Sequence, residues 1–360
     1  MRVTHFMAWE KPKYDKFEIN NAGRILINSH SSEEEKENAL KMLDNWRAAH
    51  SYPMHILQMR LRDKSQKIDK DSITAQRLKR VPAITYKLKR SYNGRRPSMK
   101  LFQMQDIGGC RAVLSNISQA RKLCDEHYLK GDLKHKRVGY KDYIAQPKPD
   151  GYRSIHLVYE YRSNKGKQEF NGLLVEIQIR TKLQHLWATA NETVELFTGL
   201  AIKTTEQQNE WKDFFKLVSS AFAKLEGCPC VEGTTNDEKE LYNQIKIKES
   251  ELKVRILMKG WADSIQTFNR ASKIKPKLQF FLLELDILGE KLNITGYTKN
   301  AESKAIEDYA KSEKRNEGKK QYDVVLVGAD TTSDLEKAYP NYYADSVEFL
   351  EYLDKIIKKY

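Results

Sequence analysis

Long apolar runs and cysteine pairs are both scarce in this 360-residue sequence. No apolar stretch approaches the roughly 20 residues of a transmembrane helix, and residues 1–17 lack the apolar centre of a signal peptide. The four cysteines form no Cys-x-x-Cys pair, and Cys228-Pro-Cys230 has no companion cluster that would complete a zinc site. These absences predict a cytoplasmic protein with free thiols and no membrane partner.

A glycine-rich phosphate loop and internal repeats are missing as well. Without a P-loop, any bound nucleotide has to be held by side chains, for example arginines stacked on adenine and lysines on phosphates. The length, with 40% hydrophobic residues, allows a substantial core and suggests about two domains, or three.

Positive charge is what the sequence has in excess. The formal net charge is +14, which favours polyanionic partners such as nucleotides or RNA. Residues 60–100 hold fourteen Lys and Arg against three Asp, whereas residues 330–360 hold seven acids against four bases. The basic stretch and the C-terminal end therefore carry complementary charge.

The most informative stretch is 172–192, which begins with a period-two pattern typical of a strand. The apolar face of this strand holds Val175, Ile177 and Ile179, and the polar face holds Glu176, Gln178 and Arg180. An ordinary half-buried strand alternates in the same way. A carboxylate, an amide and a guanidinium about 7 Å apart could also hold a metal ion, orient a hydroxyl and neutralise a phosphate.

The first half of the chain predicts helices followed by a strand. Ser32-Glu-Glu-Glu35 is a capping box that opens a helix, and this helix ends near Pro53. Its apolar stripe is Leu40, Leu43 and Trp46. A second amphipathic segment is predicted to about Leu61, and a third from Ser72 to Arg90. A strand within Met104–Leu114, a helix at 118–130 and a basic loop at Lys134–Lys141 are predicted to follow.

The second half begins with a proline-ordered loop that leads into a strand at about residue 155. A hairpin is expected to bring His156 near Glu176 or Gln178. Helices are predicted at 181–197 and 205–226, then a linker at 228–237 and a long charged helix towards Lys275. After Pro276, strands within 280–296, a helix at 301–314, a strand at 322–327 and a helix at 344–359 make a small α+β module.

Phosphoryl or pyrophosphoryl transfer requires little covalent chemistry from a protein. It needs a divalent cation held by one or two carboxylates, cations on the phosphates and a carboxylate that deprotonates the acceptor hydroxyl. Asp106 at the mouth of one predicted strand, Glu176 on another and the cationic segment 72–90 supply these parts. A solvated helix face is the alternative explanation of that cationic segment.

Three co-linear motifs resemble the RelA/SpoT synthetase domain. They are Asp106-Ile-Gly-Gly-Cys-Arg111, the run from Asp142 to His156 with its Pro-Lys-Pro and Gly-Tyr elements, and Glu176-Ile-Gln-Ile-Arg-Thr181. The resemblance covers about residues 35–225 and implies a nucleotidyltransferase-like α+β fold, a mixed sheet flanked by helices. It also implies that pyrophosphate moves from ATP to a ribose 3′-hydroxyl, most often that of GDP or GTP.

The same resemblance implies a role for each matching residue. Asp106 and Glu176 would bind Mg²⁺, Glu176 would also activate the hydroxyl, and Gln178 would be a further catalytic residue on the acceptor side. The predicted ATP ligands are Arg77, Arg80, Lys87 and Arg111. The predicted acceptor ligands are Tyr152, which would stack on the base, together with His156 and Arg180.

The domain plan is similar to that of the toxic small alarmone synthetases, in particular the CapRel type of fused toxin–antitoxin. The His-Asp pair of the family's hydrolase domain does not occur among the eight histidines, so the chain is expected to make the modification and not to remove it. In that group the acceptor is the 3′ end of tRNA. A C-terminal module, resembling a zinc finger that lost its ligands, inhibits the synthetase until a phage protein binds.

Tyr339-Pro-Asn-Tyr342 matches the inhibitory Tyr-x-x-Tyr motif of that group, and a turn with half-buried tyrosines is the alternative. The predicted domains are 1–227 for the pyrophosphotransferase (toxin), 228–275 for a connection and 276–360 for the regulatory (antitoxin) module.

The first functional hypothesis is an autoinhibited ATP-dependent tRNA pyrophosphotransferase that blocks translation in anti-phage defence. The second is an alarmone synthetase acting on GDP or GTP. The third, of another class, is a catalytically inactive RNA-binding module, against which the presence of both Asp106 and Glu176 argues.

Overall fold

The structure is a computed structural model that describes residues 9–90, 99–201, 205–263, 278–286, 291–316, 322–328 and 342–360. The chain divides into two compact units. The first comprises residues 1–143 and 154–182, and the second comprises residues 144–153 and 183–360. No helix in the described ranges is both long and apolar enough to cross a membrane.

The described helices of the first unit are α1 (Lys16–Ile27), α2 (Glu33–Ala49), α3 (Ser51–Ile68), α4 (Val81–Lys89) and α5 (Ile117–Cys124). Side-chain caps open α1, α2 and α5. Reciprocal capping boxes open α1 at Asp15 and α2 at Ser32, as the sequence predicted for the second of them. The chain then enters α3, which takes Pro53 into its first turn, where proline costs the helix little.

A five-stranded mixed sheet forms the centre of the first unit. Its strands are β1 (Ile73–Leu78), β2 (Gly108–Leu114), β3 (Lys136–Asp142), β4 (Ile155–Glu160) and β5 (Leu174–Thr181). The spatial order is β1-β2-β5-β4-β3, with β2 and β5 parallel and the other neighbours antiparallel. The predicted α+β class with a mixed sheet flanked by helices is confirmed.

The apolar face of β5 is fully buried, as its alternation predicted. Val175, Ile177 and Ile179 are each 0% exposed, and burial of one such side chain contributes about 1.5–3 kcal/mol. Helices α3 and α5 pack on this side of the sheet, where the Cys110 thiol donates to the Met54 carbonyl oxygen at 3.4 Å. The opposite, polar face of β5 is thereby positioned away from these two helices.

Three local predictions in this unit are wrong. The amphipathic segment predicted from Ser72 to Arg90 is a strand, β1, followed by α4, because the backbone of β1 pairs with β2. The basic loop predicted at Lys134–Lys141 is mostly the edge strand β3. Leu40, assigned to the apolar stripe of α2, is 37% exposed, whereas Leu43 is fully buried.

The second unit combines helices with a smaller antiparallel sheet. Its elements are α6 (Lys182–Ala201), α7 (Thr205–Leu225), α8 (Glu238–Leu252), α9 (254–263), β6 (Leu278–Asp286), β7 (Lys291–Thr298), α10 (Glu302–Arg315), β8 (Tyr322–Gly328) and α11 (Tyr342–Ile357). The strand order is β7-β6-β8. The predicted long charged helix is interrupted at Lys253, which adopts a φ of 52°, whereas α7 ends at Leu225, one residue before its predicted end.

One hydrophobic core joins α6, α7, α8, β6 and α11. In it the ring of Phe349 in α11 lies 6.1 Å from that of Phe215 and 5.8 Å from that of Phe222, both in α7. A buried His185–Asp345 contact of 3.2 Å connects α6 with α11. Helix α11 shares this core with α6 and α7, and all three belong to one compact unit. The division into three functional domains at 1–227, 228–275 and 276–360 stays a prediction.

Candidate active site

Polar side chains from four strands share one face of the five-stranded sheet. Arg111 of β2 pairs in register with Gln178 of β5, Gln178 with His156 of β4, and His156 with Lys141 of β3. Directly paired residues project to the same side of a sheet. Glu176, two positions before Gln178 on β5, projects to this side as well. The face is opposite the one that α3 and α5 cover.

Glu176 is the centre of a hydrogen-bonded network on this face. The Nδ1 of His156 donates to Oε1 of Glu176 at 3.0 Å, and Nε2 of Gln178 donates to its Oε2 at 2.6 Å. Arg180 in turn donates from Nη2 to Oε1 of Gln178 at 2.9 Å. The ring of Tyr143 meets that of His156 edge to face, with centroids 5.3 Å apart. The predicted hairpin between His156 and the Glu176 strand is confirmed.

The network keeps the Glu176 carboxyl ionised. Burial on its own raises the pKa of Glu176, but the hydrogen bond and charge of His156 and the hydrogen bond from Gln178 outweigh it. The pKa of Glu176 therefore lies below its ordinary value of 4.5. The carboxylate is charged at neutral pH and held in one orientation by two donors.

Asp106, two residues before β2, is surrounded by lysines. Lys79, which follows β1, contacts its Oδ2 at 3.0 Å, and Lys87 of α4 contacts Oδ1 and Oδ2 at 2.9 Å each. Burial raises the pKa of Asp106, yet the charges of Lys79 and Lys87 outweigh burial and lower this pKa below the ordinary value. Asp106 is therefore also a carboxylate at neutral pH.

The two carboxylates are close enough to influence each other. The negative charge of Asp106 acts to raise the pKa of Glu176, against the effect of His156 and Gln178. Their strands are parallel neighbours, with Gly108 opposite Val175 and Gly109 opposite Glu176. Two residues far apart in the sequence thus contribute acidic side chains to one region of the sheet.

This pair of carboxylates fits a magnesium ion that is bound together with phosphates. Mg²⁺ prefers oxygen ligands and usually takes one or two carboxylates, with substrate phosphates and waters completing its octahedron. Each carboxylate has about four lone-pair positions, so the lysine contacts on Asp106 leave acceptor capacity. Across the described ranges no group of three or more His, Cys, Asp or Glu could form an all-protein metal cage.

The predicted ATP ligands occupy different positions around these carboxylates. Lys87 contacts Asp106 directly. Arg77 is exposed on β1 and pairs in register with Gly109, and Arg111 lies in the row of Gln178. Arg80 is exposed at the N-cap of α4.

Two cations at this face were missed by reasoning from the sequence. Lys79 contacts Asp106, and its backbone carbonyl accepts from Nε of Arg47 in α2 at 2.9 Å. Lys141 is paired in register with His156. Lys79 and Lys141 would have been identified if β1 and β3 had been predicted as strands. Alternation along a strand fixes the face of the sheet to which each side chain projects.

Tyr152 and the loop that carries it belong to the second unit. The Nζ of Lys148 lies 4.6 Å from the centroid of the Tyr152 ring, and Tyr152 packs against the hydrophobic core of that unit. The role of Tyr152 at the acceptor base stays a prediction from the motif.

The predicted inhibitory pair is only partly within the described residues. Tyr339 lies outside them, and Tyr342 is the first residue of α11. Their inhibitory role also stays a prediction from the motif.

Comparison with known proteins assigns the region that contains this face. Residues 76–195 match the family model described as "Region found in RelA / SpoT proteins". The match includes Arg77, Asp106, His156 and Glu176, and it spans about a third of the 360-residue chain. The chain therefore contains a RelA/SpoT region.

Two curated relatives come from Bacillus subtilis (strain 168). GTP pyrophosphokinase YjbM is 33% identical over 120 residues, which are 33% of this chain and 53% of YjbM. GTP pyrophosphokinase YwaC is 37% identical over 92 residues, which are 25% of this chain and 42% of YwaC. The chain thus spans about half the length of the curated relatives it matches.

Among solved structures, small alarmone synthetase 1 from Bacillus subtilis bound to its product pppGpp is similar, with 25% identity and a TM-score of 0.44. The similarity covers 52% of this chain and 94% of that chain.

Proposed function

We propose that the protein is a pyrophosphokinase that transfers the β,γ-diphosphate of ATP to a ribose 3′-hydroxyl. The observation that carries the proposal is the pair of ionised carboxylates, Asp106 among lysines and Glu176 among hydrogen-bond donors, within a RelA/SpoT region. The names of the relatives YjbM and YwaC support the reaction class.

In the proposed reaction, the acceptor 3′-oxygen attacks the β-phosphorus of ATP. The bond from that phosphorus to the α,β-bridging oxygen breaks, AMP leaves, and the hydroxyl proton passes to the Glu176 carboxylate. His156 and Gln178 hold that carboxylate by hydrogen bonds to its two oxygens. These side chains contribute orientation and charge. Phosphoryl transfer is catalysed mainly by positioning the reactants and by stabilising charge.

Asp106 and Glu176 would hold Mg²⁺, and a bound ion would neutralise charge on the ATP phosphates. Lys79 and Lys87 are positioned to exchange their contacts with Asp106 for contacts with phosphate oxygens, because lysines are strong phosphate ligands. Arg77, Arg80 and Arg111 are the proposed further ligands of ATP, with arginine stacking on adenine replacing a P-loop.

The proposed acceptor is the 3′ end of tRNA. The support is electrostatic, since the chain carries a net charge of +14 and residues 60–100 are strongly basic. In this proposal His156 and Arg180 serve the acceptor ribose and phosphate, and Tyr152 stacks on the terminal base. The modified tRNA end would no longer accept an amino acid, so translation would stop.

GDP or GTP is the second candidate acceptor. The specific observation in its favour is that both curated relatives are named GTP pyrophosphokinases. The same carboxylates and the same donor chemistry would serve either acceptor, so the two candidates differ only in what the acceptor side recognises.

We further propose that residues 276–360 inhibit the transfer until a phage protein binds them, which would place the enzyme in anti-phage defence. The support is the Tyr339-Pro-Asn-Tyr342 motif and the acidic charge of residues 330–360, opposite in sign to residues 60–100.

The test incubates the purified full chain, as wild type and as a Tyr339→Ala variant, with Mg²⁺ and γ-labelled ATP. The acceptors are total tRNA, GDP and GTP in separate reactions. The expected result is label on tRNA together with AMP, both abolished by Glu176→Gln and kept in the control Glu160→Gln. Label on GDP or GTP alone would overturn the tRNA proposal, and no AMP with any acceptor would overturn pyrophosphate transfer.

A further inference from the structure

We propose that Cys228 and Cys230 form a redox-sensitive thiol pair that controls the loop carrying Tyr152. Oxidation by a hydroperoxide closes a disulfide across Pro229 and loosens that loop, and reduction by a dithiol restores it. The thiols and the loop all belong to the second unit. The effect of oxidation on the acceptor rests on the proposed function, in which Tyr152 stacks on the acceptor base.

Exposure separates these two thiols from the other two of the chain. Cys110 and Cys124 are buried, with exposures of 1% and 0%. Burial raises the pKa of the Cys124 thiol to about 12 and holds that of Cys110 well above its ordinary value, so both stay protonated and unreactive at neutral pH. Cys228 and Cys230 are half-buried, and an oxidant in solution therefore reaches them first.

The spacing of Cys228 and Cys230 permits a direct bridge. Two residues along a chain span at most about 7 Å between Cα atoms, and disulfides join Cα atoms about 4.4–6.8 Å apart. Closing so short a ring constrains the backbone, and strained disulfides are the readily reduced, regulatory ones. The spacing therefore suits a reversible bridge and not a permanent structural one.

A buried guanidinium lies beside the pair. Arg153 is 3% exposed, and its Nη2 donates to the Pro229 carbonyl oxygen at 2.6 Å. Burial lowers the pKa of Arg153, and the charges of Cys228 and Cys230 act against burial, so both sulfur atoms lie within electrostatic reach of one guanidinium. A neighbouring cation stabilises a thiolate, which is the form of a thiol that attacks a peroxide.

Helix α7 fixes the chain on both sides of Pro229. The amide of Cys228 donates to the Ala223 carbonyl oxygen at 2.8 Å. The amide of Val231, a residue only 2% exposed, donates to Oγ of Ser220 at 2.9 Å. Because both flanks are held by this helix, the bending that a bridge demands falls on Pro229 and its carbonyl oxygen.

Arg153 also holds the loop that carries Tyr152. Its Nη1 donates to the Ile144 carbonyl oxygen at 3.3 Å, and its Nε donates to Oγ of Ser219 at 3.0 Å. The Ser219 hydroxyl in turn donates to the Gly151 carbonyl oxygen at 2.6 Å. The guanidinium therefore ties the two ends of the loop together.

The oxidation of the two thiols is balanced by reduction of the hydroperoxide. One thiolate attacks a peroxide oxygen and the O–O bond breaks. An alcohol or water leaves after protonation, and the attacking sulfur becomes a sulfenic acid. The second thiol attacks that sulfur, the S–O bond breaks, water leaves and the S–S bond forms. The thiols lose two electrons and two protons, which the hydroperoxide takes up.

The bridge displaces the Pro229 carbonyl oxygen from Nη2 of Arg153. The remaining acceptors, the Ile144 carbonyl and the Ser219 hydroxyl, do not satisfy that donor, and a buried cation with an unsatisfied donor is unfavourable. The guanidinium then leaves its position, and the loop that presents Tyr152 loses its tie. Weaker stacking on the acceptor base raises the KM for the acceptor more than it lowers kcat.

Unselective oxidation of accessible thiols is the alternative explanation of a peroxide effect. It leads to sulfinic and sulfonic acids or to disulfides between molecules, and it does not involve Arg153. The paired mechanism instead predicts a bridge within one chain that a dithiol reverses.

The test treats the reduced full chain with hydrogen peroxide and blocks the remaining thiols with iodoacetamide. Mass spectrometry of the digested protein locates the bridge. Limited digestion with trypsin reports the loop, since the bond after Arg153 is cut only when this buried residue becomes accessible. The acceptor KM and kcat are measured from AMP formation.

The variants are Cys228→Ser, Cys230→Ser and Arg153→Lys. Arg162→Lys is the matched control for the last of these, because Arg162 is exposed. Thermal melting verifies that each variant is folded, and if Arg153→Lys does not fold, the two serine variants decide the outcome.

The expected result is a Cys228–Cys230 bridge that dithiothreitol removes, with Cys110 and Cys124 unmodified. Cleavage after Arg153 should become faster, and the acceptor KM should rise by about tenfold, which corresponds to the loss of one stacked base. Both serine variants should show neither effect. The Arg153→Lys variant should have the raised KM without peroxide, and peroxide should add nothing.

Peroxide-treated protein in which Cys228 and Cys230 are both still alkylated, or carry only sulfinic acid, would overturn the inference. A bridge that changes neither the cleavage after Arg153 nor the acceptor KM would overturn it as well.

The bridge and the cleavage are read without substrate, so failure of the thiol switch is distinguishable from failure of the proposed function. A wild type that forms the bridge and opens the loop but makes no AMP would overturn pyrophosphate transfer and leave the thiol pair standing. A wild type that makes AMP and is insensitive to peroxide would do the reverse.

Discussion

At the scale of single residues, the ionisation state of Glu176, the proposed base, is set by its neighbours. Its pKa is lowered although burial acts to raise it, because His156 and Gln178 donate to its two oxygens. A carboxylate with a lowered pKa is fully ionised at neutral pH, and it can accept the acceptor proton only in a well-oriented complex. The network therefore contributes orientation more than basicity.

Replacing His156 tests this description by its effect on pH dependence. His156→Ala removes the strongest influence that lowers the pKa of Glu176 and leaves burial, which raises it. We expect the acidic limb of the pH–rate profile to move to higher pH and the maximal rate to fall. The measurement is the initial rate of AMP formation against pH.

The exposed His30→Ala variant is the control, and its pH–rate profile should coincide with that of the wild type.

The stability of the fold should also depend on pH through Glu176. In the wild type the lowered pKa of Glu176 stabilises the fold above the unfolded pKa of this residue, and this stabilisation is lost as the pH falls through the folded pKa. The variant should therefore lose less stability on acidification than the wild type. An acidic limb that stays in place would contradict the network.

Single residues were predictable where a motif and an alternating pattern agreed. Glu176, Gln178 and His156 were identified in this way, and the expected proximity of His156 to Glu176 is confirmed by their hydrogen bond of 3.0 Å. Lys79 was missed and its neighbour Arg80 chosen, because the choice depends on which side chain faces Asp106. That orientation is set by the pairing of β1 with β2, which is a long-range contact.

At the scale of elements, the loop 144–153 is held to the rest of the second unit by backbone conformation and by a buried arginine. Gly151 has a φ of 94°, and a Cβ there would lie 2.9 Å from the Cβ of Ser219 and 3.1 Å from Trp187. The Ser219 hydroxyl donates to the Gly151 carbonyl at 2.6 Å and accepts from Nε of Arg153 at 3.0 Å. The loop that carries Tyr152 is therefore fixed to α7.

The Gly151→Ala variant should destabilise the second unit by roughly 2–4 kcal/mol, the sum of left-handed strain and overpacking. Gly227→Ala is the matched control, because Gly227 also has a positive φ (66°) but nothing within 4 Å of the added Cβ. It should cost only the strain, about 1–2 kcal/mol. Denaturant unfolding monitored by tryptophan fluorescence measures both, and equal losses would contradict the close packing of the loop.

Elements were predictable when their local pattern and their burial agreed. The strand β5 and helix α7 have strong periodicity and large buried residues, among them Ile177 and Phe215. β1 and β3 were missed because both are edge strands with mixed exposure, so their alternation is weak, and three of the seven residues of β3 are Lys or Arg. β1 is stabilised by its hydrogen bonds to β2, and β3 by its hydrogen bonds to β4. A local sequence pattern does not show these pairings.

At the scale of the whole molecule, the proposed inhibition by residues 276–360 is the main regulatory prediction. Tyr339→Ala or Tyr342→Ala should relieve inhibition, so that induced expression arrests growth. Combining either change with Glu176→Gln should restore growth, because the arrest requires transfer.

Tyr343→Ala is the matched control, since it removes an adjacent tyrosine outside the Tyr-x-x-Tyr spacing. Growth curves with protein levels checked by immunoblot give the result. Normal growth of both motif variants at wild-type protein levels, or arrest by Tyr343→Ala alone, would contradict the proposed inhibition.

The central claim is that Asp106 and Glu176 act together on one bound ATP. A double-mutant cycle on AMP formation tests it most directly, with Asp106→Asn, Glu176→Gln and the double variant compared with the wild type. We predict that each single change lowers the rate by about 10²–10⁴-fold and that the double change is no worse than the more damaging single one. Losses that multiply, or an Asp106→Asn variant as active as the wild type, would contradict the claim.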